Sequence, residues 1–495
     1  MTSELLSSGG MTGIAAGALA LRAGPVRLRA LLIAAGLCWS VLFVVIGLVY
    51  ELQMYADGSI FSYAVAVRDS WGFHWHNIPG RLLVYLFSHL PAEIYVRLTA
   101  DPRGGIALYG LLFFVAPLLG LAATFAADRS DGRIYFRFAC LSTACLCPLL
   151  FGSPTEMWMA HSLFWPALTV CHYARAGLAG GALVLAALLA LVFTHEGAVI
   201  FALAILLTLL LRGWRDAALR RATIAFLLVM AMWGAVKVMI VPDEYTGTMM
   251  HRAALHVLDI DIFTGDLMRL LLATLAGYGL LFVVFRRVAP AKAHIYAGGV
   301  VTAALGVYWT FFDHALHAEN RYYLRTVVLI ATPMLGLMAA RRVLGSEGRL
   351  VLPLKRFPVK IFTDDAIARV AAGAFLLVML VHAVETAKFI SAWARYKDAV
   401  RELAMSTQSD PALGDPRFVS SQRVAGADNR LAWSSTTHFL SVLVAPRLAP
   451  ARLVVDPNAG YFWLPCELAR ASEAADVAVP AQSRRLMRVH ACLHR

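Results

Sequence analysis

Long apolar runs separated by short polar interruptions organise most of this chain. They lie near 31–50, 106–126, 134–151, 158–173, 177–194, 197–211, 222–241, 267–285, 295–312, 324–340 and 366–387, and each carries at most two charged residues. About twenty apolar residues in a helix cross the hydrocarbon of a bilayer. A backbone in that medium must satisfy its own hydrogen bonds, as a helix does. The pattern predicts an all-α polytopic membrane protein of about eleven transmembrane helices. Several runs are shorter than twenty residues, so their ends are set to within a few positions.

Composition agrees. Hydrophobic residues make up 60% of the 495 residues and charged ones 15%, against about a quarter charged in soluble domains. The surplus apolar surface calls for a lipid bilayer as partner. The net charge of +13 does not indicate nucleic acid, because the basic residues sit in short clusters between apolar runs and encode topology. Alternate connections hold Arg129/Arg133/Arg137, Arg212/Arg215/Arg220/Arg221, Arg286/Arg287/Lys292 and Arg341/Arg342/Lys355/Arg356/Lys360. With these inside, about 21 basic residues fall inside and about 7 in the outer loops. Moving the count by one span scrambles that bias, which supports an odd number of spans. Glu4 and the lack of a basic residue before Ile14–Leu21 argue against a cleaved signal peptide, whereas Arg22, Arg27 and Arg29 precede the first full span.

Three parts follow from this pattern: a cytoplasmic segment 1–30, a membrane domain 31–387, and a C-terminal extracytoplasmic domain 388–495 rich in Pro, Asp, Ser and Arg. Within the membrane domain, outer loop 51–105 contains amphipathic stretches Ile60–Trp71 and Leu82–Leu98, which fit helices lying in the interface. Other outer segments are Ser153–His161, a tight turn at His195–Glu196, Pro242–Asp266 and Asp313–Arg325.

Ionisable residues concentrate in two of these segments. One runs from Tyr55 through Asp57 and Tyr63 to Arg68 and Asp69; the other contains Asp313, His314, His317, Glu319, Arg321, Tyr322 and Arg325. Polar groups crowded against apolar helix ends point to function. Ala56-Asp57-Gly58-Ser59-Ile60-Phe61-Ser62-Tyr63-Ala64 is similar to the first-loop motif of GT-C type glycosyltransferases, multi-span enzymes that use polyprenyl-phosphate sugars. Phe312-Asp313-His314…Arg321-Tyr322 resembles their late outer-loop motif. This chain has Gly58 where a second acid often follows the first, and Arg325 where a proline often follows Arg-Tyr. The missing acid is often tied to metal, so a divalent cation is left open.

The resemblance implies transfer of a sugar to an extracytoplasmic glycan or lipid acceptor at the periplasmic face of a bacterial inner membrane. Such transfer needs a base for the acceptor hydroxyl. It needs no partnered acid, because the lipid-linked phosphate leaves as a stable anion, unlike the two-carboxylate chemistry of glycosidases. Asp57 is the candidate base and Asp69 the alternative; a turn former before Gly58 and a solvated loop residue are their bland readings. Candidate donor-binding cations are Arg321 and Arg325, one helical turn apart, with Arg269 and Lys237 near outer helix ends. Lipid head groups compete for both of the latter, and for Lys237 they are the favoured reading. Tyr322, Asp313, His314, Glu156, His195 and Glu196 complete the substrate-binding candidates, with a helix cap as the competing role for His195–Glu196. His74/His76 and His314/His317 lack a third local ligand, so no metal site is assigned.

Two other function classes remain open: a flippase or transporter of a lipid-linked saccharide, and an O-antigen-type ligase or polymerase. Repeated halves with interrupted midplane helices mark many transporters, and a large late outer loop marks the ligases; neither is evident. Five cysteines lie within apolar runs, whereas Cys466 and Cys492 lie outside them. In an oxidising compartment these two are expected to form a disulfide, closing a loop of about 25 residues worth roughly 3 kcal/mol.

Overall fold

The computed structural model describes residues 9–73, 81–150, 155–239, 266–311, 321–350, 365–407, 413, 415–424 and 431–456. Helices occupy every interval in which the apolar pattern places a span. They are α1 (Gly9–Val49), α6 (Pro102–Phe114) with α7 (Ala116–Ala127), α8 (Ile134–Leu146), α9 (Glu156–Tyr173), α10 (Leu178–Val192), α11 (Ala198–Leu210), α12 (Ala217–Met239), α13 (Asp266–Val288), α14 (Ala293–Phe311), α15 (Arg321–Ser346) and α16 (Asp365–Met405). Among the described residues, five helical stretches are long and apolar enough to cross a membrane: Leu28–Val49, Pro102–Ala127, Ala217–Met239, Val327–Ser346 and Ala371–Met405. Ile134–Leu146, Leu178–Val192, Ala198–Leu210 and Ile295–Tyr308 are shorter apolar helices. The chain is an all-α polytopic membrane protein with a small C-terminal β-element.

The centre of the bundle is held by close helix contacts, notably α1 with α8 and α16, α7 with α9, and α11 with α15. Small residues allow this approach. A Cβ on Gly36 of α1 would lie 2.6 Å from the Cα of Cys140 on α8, so the two backbones nearly touch. Between lipid-bathed helices, where tails are as apolar as leucine, this kind of packing is a main source of cohesion. Aromatic rings fill the space nearby, with Phe43 4.9 Å from Phe114 and 3.7 Å from Trp158.

The outer loop folds into α2 (Gly58–Ala66), α3 (Ser70–Phe73), α4 (Leu82–Val84) and α5 (Leu90–Thr99), with a π-helical turn Tyr85–His89 joining the last two. Pro91 sits in the first turn of α5, where its missing N–H costs nothing. The expectation of an interfacial helix over Ile60–Trp71 needs correction. All nine residues of α2 are buried, because the C-terminal helix α17 (Thr437–Val444), α6 and α5 cover it.

The last apolar run ends near 387, but its helix does not. α16 continues to Met405 because Phe389, Trp393, Tyr396 and Val400 bury one helical face. This extension grips the start of the outer loop. The Trp393 indole N–H donates to the Tyr50 carbonyl at 2.8 Å, and Tyr55 packs on Phe389 and Trp393 at 5.3 and 5.1 Å. Lys397 also pairs with Glu51 at 2.6 Å. A partly exposed ion pair contributes about 0–1 kcal/mol, so the buried aromatic contacts carry most of the attachment. Beyond α16, β1 (Phe418–Ser420) and β2 (Leu453–Val455) pair in parallel, both fully buried. Cys466 and Cys492 lie outside the described residues.

The basic-residue bias sets the orientation expected of this bundle. Alkaline phosphatase fused after Arg495 is expected to be active, and the same reporter fused after Arg287 inactive. The reverse pattern would put Asp57 in the cytoplasm.

Candidate functional site

Four charged residues from four separate segments meet at the end of the bundle that carries the outer loop. Arg81, just before α4, donates through one Nη to Glu156 at 2.9 Å and through the other to Glu196 at 3.2 Å. The second Glu196 oxygen accepts from Lys237 at 3.1 Å. Glu156 opens α9, Glu196 lies in the turn between α10 and α11, and Lys237 ends α12. The result is an alternating chain Glu156–Arg81–Glu196–Lys237. The Glu156 side chain is only 8% exposed, so its charge has little water and depends on Arg81 and on the N-terminus of α9.

Burial pushes the Glu196 carboxyl up, but the Arg81 guanidinium, helped by Lys237, outweighs it and holds the group well below the usual carboxylate range. Glu196 is therefore ionised throughout the neutral range. His195 caps locally, its Nδ1 accepting from the Gly197 amide at 3.0 Å. Lys237 lies 5.2 Å over the Trp233 ring as well as against Glu196, so it points into the protein's own network rather than only to lipid.

Asp57 stands at the start of α2 with its side chain half-buried and making no capping hydrogen bond to that helix. Its neighbour Ala56 has φ +52°, a left-handed conformation costing an L-residue about 1–2 kcal/mol. Two hydroxyls secure it. The Ala56 carbonyl accepts from Ser59 Oγ at 2.8 Å and from Thr436 Oγ1 at 3.2 Å, while Ser59 Oγ also lies 3.3 Å from the Thr436 carbonyl. A strained residue pinned beside a carboxylate is the kind of outlier found at functional sites. The C-terminal segment thus takes part in shaping the turn that carries Asp57.

Tyr109 of α6 lies within electrostatic reach of both Asp57 and Glu156. It stacks on His89 of the π-helical turn at 5.0 Å. Burial drives the His89 imidazole down to about 4, against a smaller opposing effect of Glu156. His89 is thus a neutral ring at pH 7 and supplies no cation there. π-Helical turns of this kind are frequent at functional sites.

Asp69 is exposed at the far end of α2, roughly 13 Å of helix away from Asp57. Arg269 is exposed near the start of α13. The backbone places Arg321, Tyr322 and Arg325 in the first two turns of α15, whereas Asp313 and His314 lie outside the described residues. His161 turns away from Glu156 and pairs with Ser142 Oγ at 2.8 Å. Among the described residues, no three His, Cys, Asp or Glu side chains gather into a metal-binding group. Arg81 was missed by the motif reading because it belongs to no motif. The signal was indirect: Glu156 and Glu196 beside apolar helices require a cation, and the span count expects Arg81 on the same side of the bundle. No protein-family model matches this chain, and no curated protein matches it in sequence.

Removing the guanidinium leaves Glu156 buried beside Glu196 without its counter-charge. Arg81→Ala is expected to cost about 3 kcal/mol of stability in detergent, the scale for breaking a buried pair from one side. The pH dependence has a defined sign. A carboxyl depressed by folding adds stability above its unfolded pKa, and that stability fades as pH falls through the folded value. In the wild type the Glu196 contribution should therefore fade progressively below about pH 4, whereas Arg81→Ala has lost much of that depression and has less to lose, so the two stability curves converge as pH falls. Melting followed from pH 7 to pH 3 checks this; parallel curves for the two proteins would refute it.

Proposed function

We propose that this chain is a membrane glycosyltransferase of the GT-C type with about eleven spans and an extracytoplasmic C-terminal domain. It takes a sugar from a polyprenyl-phosphate donor to a glycan or lipid acceptor at the periplasmic face of a bacterial cytoplasmic membrane. The observation that supports this reading is that Asp57, beside the strained Ala56, and Glu156, in the ionic chain with Arg81, Glu196 and Lys237, both lie within electrostatic reach of Tyr109.

In this scheme the acceptor oxygen attacks the anomeric carbon while Asp57 takes its proton. The bond from that carbon to the phosphate oxygen breaks, and its electron pair leaves on the polyprenyl phosphate. Cations must meet the developing charge. Arg321 and Arg325 at the start of α15 serve this role, because Arg81 already spends both terminal nitrogens on carboxylates. Arg81 is then a positioning residue that holds α9 and the α10–α11 turn around the substrate. Asp313, His314, Tyr322, His195 and Glu196 are proposed to contact donor or acceptor hydroxyls. Arg269 sits apart as an exposed head-group or donor contact.

A second reading, a flippase or transporter of a lipid-linked saccharide, has one specific observation in its favour. His382 is buried in α16 near Glu385, which pairs with Lys388 at 2.8 Å at the end of the apolar run, and ionisable groups within spans often line transport paths. Product formation separates the two: a transporter moves the donor without breaking its sugar–phosphate bond.

The test is transfer rate together with donor binding in purified variants, each with and without a chelator to detect a metal-assisted variant of the chemistry. Asp57→Asn keeps shape and removes the proton acceptor, so the rate is expected to fall by about two to four decades with donor affinity changed far less. Asp69→Asn is expected to stay near wild type. Collapse in Asp69→Asn with full activity in Asp57→Asn would move the base to the other end of α2. Full activity in both would remove the enzyme reading.

A further inference from the structure

At the end of the bundle opposite Arg81, about 27 Å away along the 18 residues of α9, three turns come together around arginines. Arg221 donates to the Ala174 and Arg175 carbonyls at 3.0 and 3.1 Å, tying α12 to the end of α9. Arg212 donates to the His172 carbonyl at 3.0 Å and to Asp216 at 3.1 Å. Asp216 in turn caps α12 through the Ala218 and Leu219 amides. Tyr173 reaches Glu347 at 2.8 Å, which also pairs with Arg349. Gly177 and Gly213, with φ of +107° and +105°, make the two tight turns possible.

These contacts use the nearby acids and leave cations over. Asp216 and Glu347 are both engaged, whereas Arg175, Arg215 and Arg220 are exposed with no carboxylate partner among the described residues. Beside them stand two apolar side chains at membrane helix ends: Trp214, 73% exposed with the Arg215 guanidinium 4.6 Å over its ring, and Leu178, 94% exposed. Guanidinium forks match phosphate oxygens. An indole at a helix end sits at the level of lipid head groups. A soluble phosphate has no use for the indole or for Leu178; a phospholipid has a phosphate for the arginines and acyl chains for the apolar pair.

We infer that the α9–α10 and α11–α12 turns form a binding site for an anionic phospholipid, its phosphate held by Arg175, Arg215 and Arg220 and its upper acyl chain laid against Trp214 and Leu178. The turns are already locked by Arg212 and Arg221, so the site is formed before the lipid arrives and little ordering opposes binding.

The experiment measures binding of phosphatidylglycerol and of phosphatidylcholine with the same acyl chains to the purified full chain in detergent. Wild type is expected to prefer phosphatidylglycerol by about a hundredfold, since each of the three arginines near an anionic head group contributes on the order of fivefold. The triple variant R175Q/R215Q/R220Q should lose that preference. A control with equal charge removed elsewhere, R286Q/R287Q/K292Q, should keep it. Should the triple variant fold poorly, Arg215→Gln alone, which disturbs only the Trp214 stack, is expected to lose about fivefold. Retained preference in the arginine variants overturns the site, and so does equal loss in the control, which would show unspecific charge attraction. Displacement of phosphatidylglycerol by inorganic phosphate at equal concentration would make a free anion the ligand and overturn it as well.

Discussion

Arg81 draws two carboxylates from separate segments into one ion chain, and the geometry of this end of the bundle follows from that pairing. Glu156 and Glu196 stand beside helices that are otherwise apolar, one at the start of α9 and one in the turn before α11. An unpaired charge there is costly, so α9, the α10–α11 turn and the segment entering α4 must stay together. The Leu83 amide, donating to the Phe193 carbonyl at 3.2 Å, adds a backbone tie at the same place. Lys237 extends the chain to α12 and leaves the four charges balanced. A site built on helix ends in this way is held by the scaffold rather than by a loose loop.

A second clamp acts on the Asp57 side. The extension of α16 holds Tyr50 and Tyr55 through Trp393, and α17 covers α2 while Thr436 pins the Ala56 carbonyl. Ala56 would relax out of its left-handed conformation if nothing opposed it, and the hydroxyls of Ser59 and Thr436 supply that opposition. Chain segments nearly four hundred residues apart therefore determine where a single carboxylate stands. This coupling gives the C-terminal part a structural reason to lie against the outer loop.

The helical layout of the membrane part was legible because apolar runs record it directly; helices fill each interval that the pattern marks. The continuation of α16 was also written in the chain, as Phe389, Trp393, Tyr396 and Val400 recur at helical spacing, but mixed charges mask it once apolar run length is the criterion. The burial of α2 was not legible. Its Ser, Tyr and Gly content looks amphipathic, and only the covering by α17, from the far end of the chain, makes its polar side internal. The site divided in the same way. Asp57, Glu156 and Glu196 stand out as acids beside apolar helices, whereas Arg81 is one arginine among several in a long loop and gains meaning only through contacts 75 and 115 residues away. Asp69 resembles Asp57 in sequence, yet the length of α2 separates them.

The central claim is that this outer face breaks the bond between a sugar and a lipid-linked phosphate. Incubating the purified chain with a panel of radiolabelled polyprenyl-phosphate sugars, and separating lipid-linked from released or transferred label, tests it most directly. The account predicts that at least one donor loses its sugar, to an acceptor or to water, and that the lipid product is polyprenyl phosphate. Quantitative recovery of every donor intact, by protein shown to be folded and to bind one of them, would contradict it.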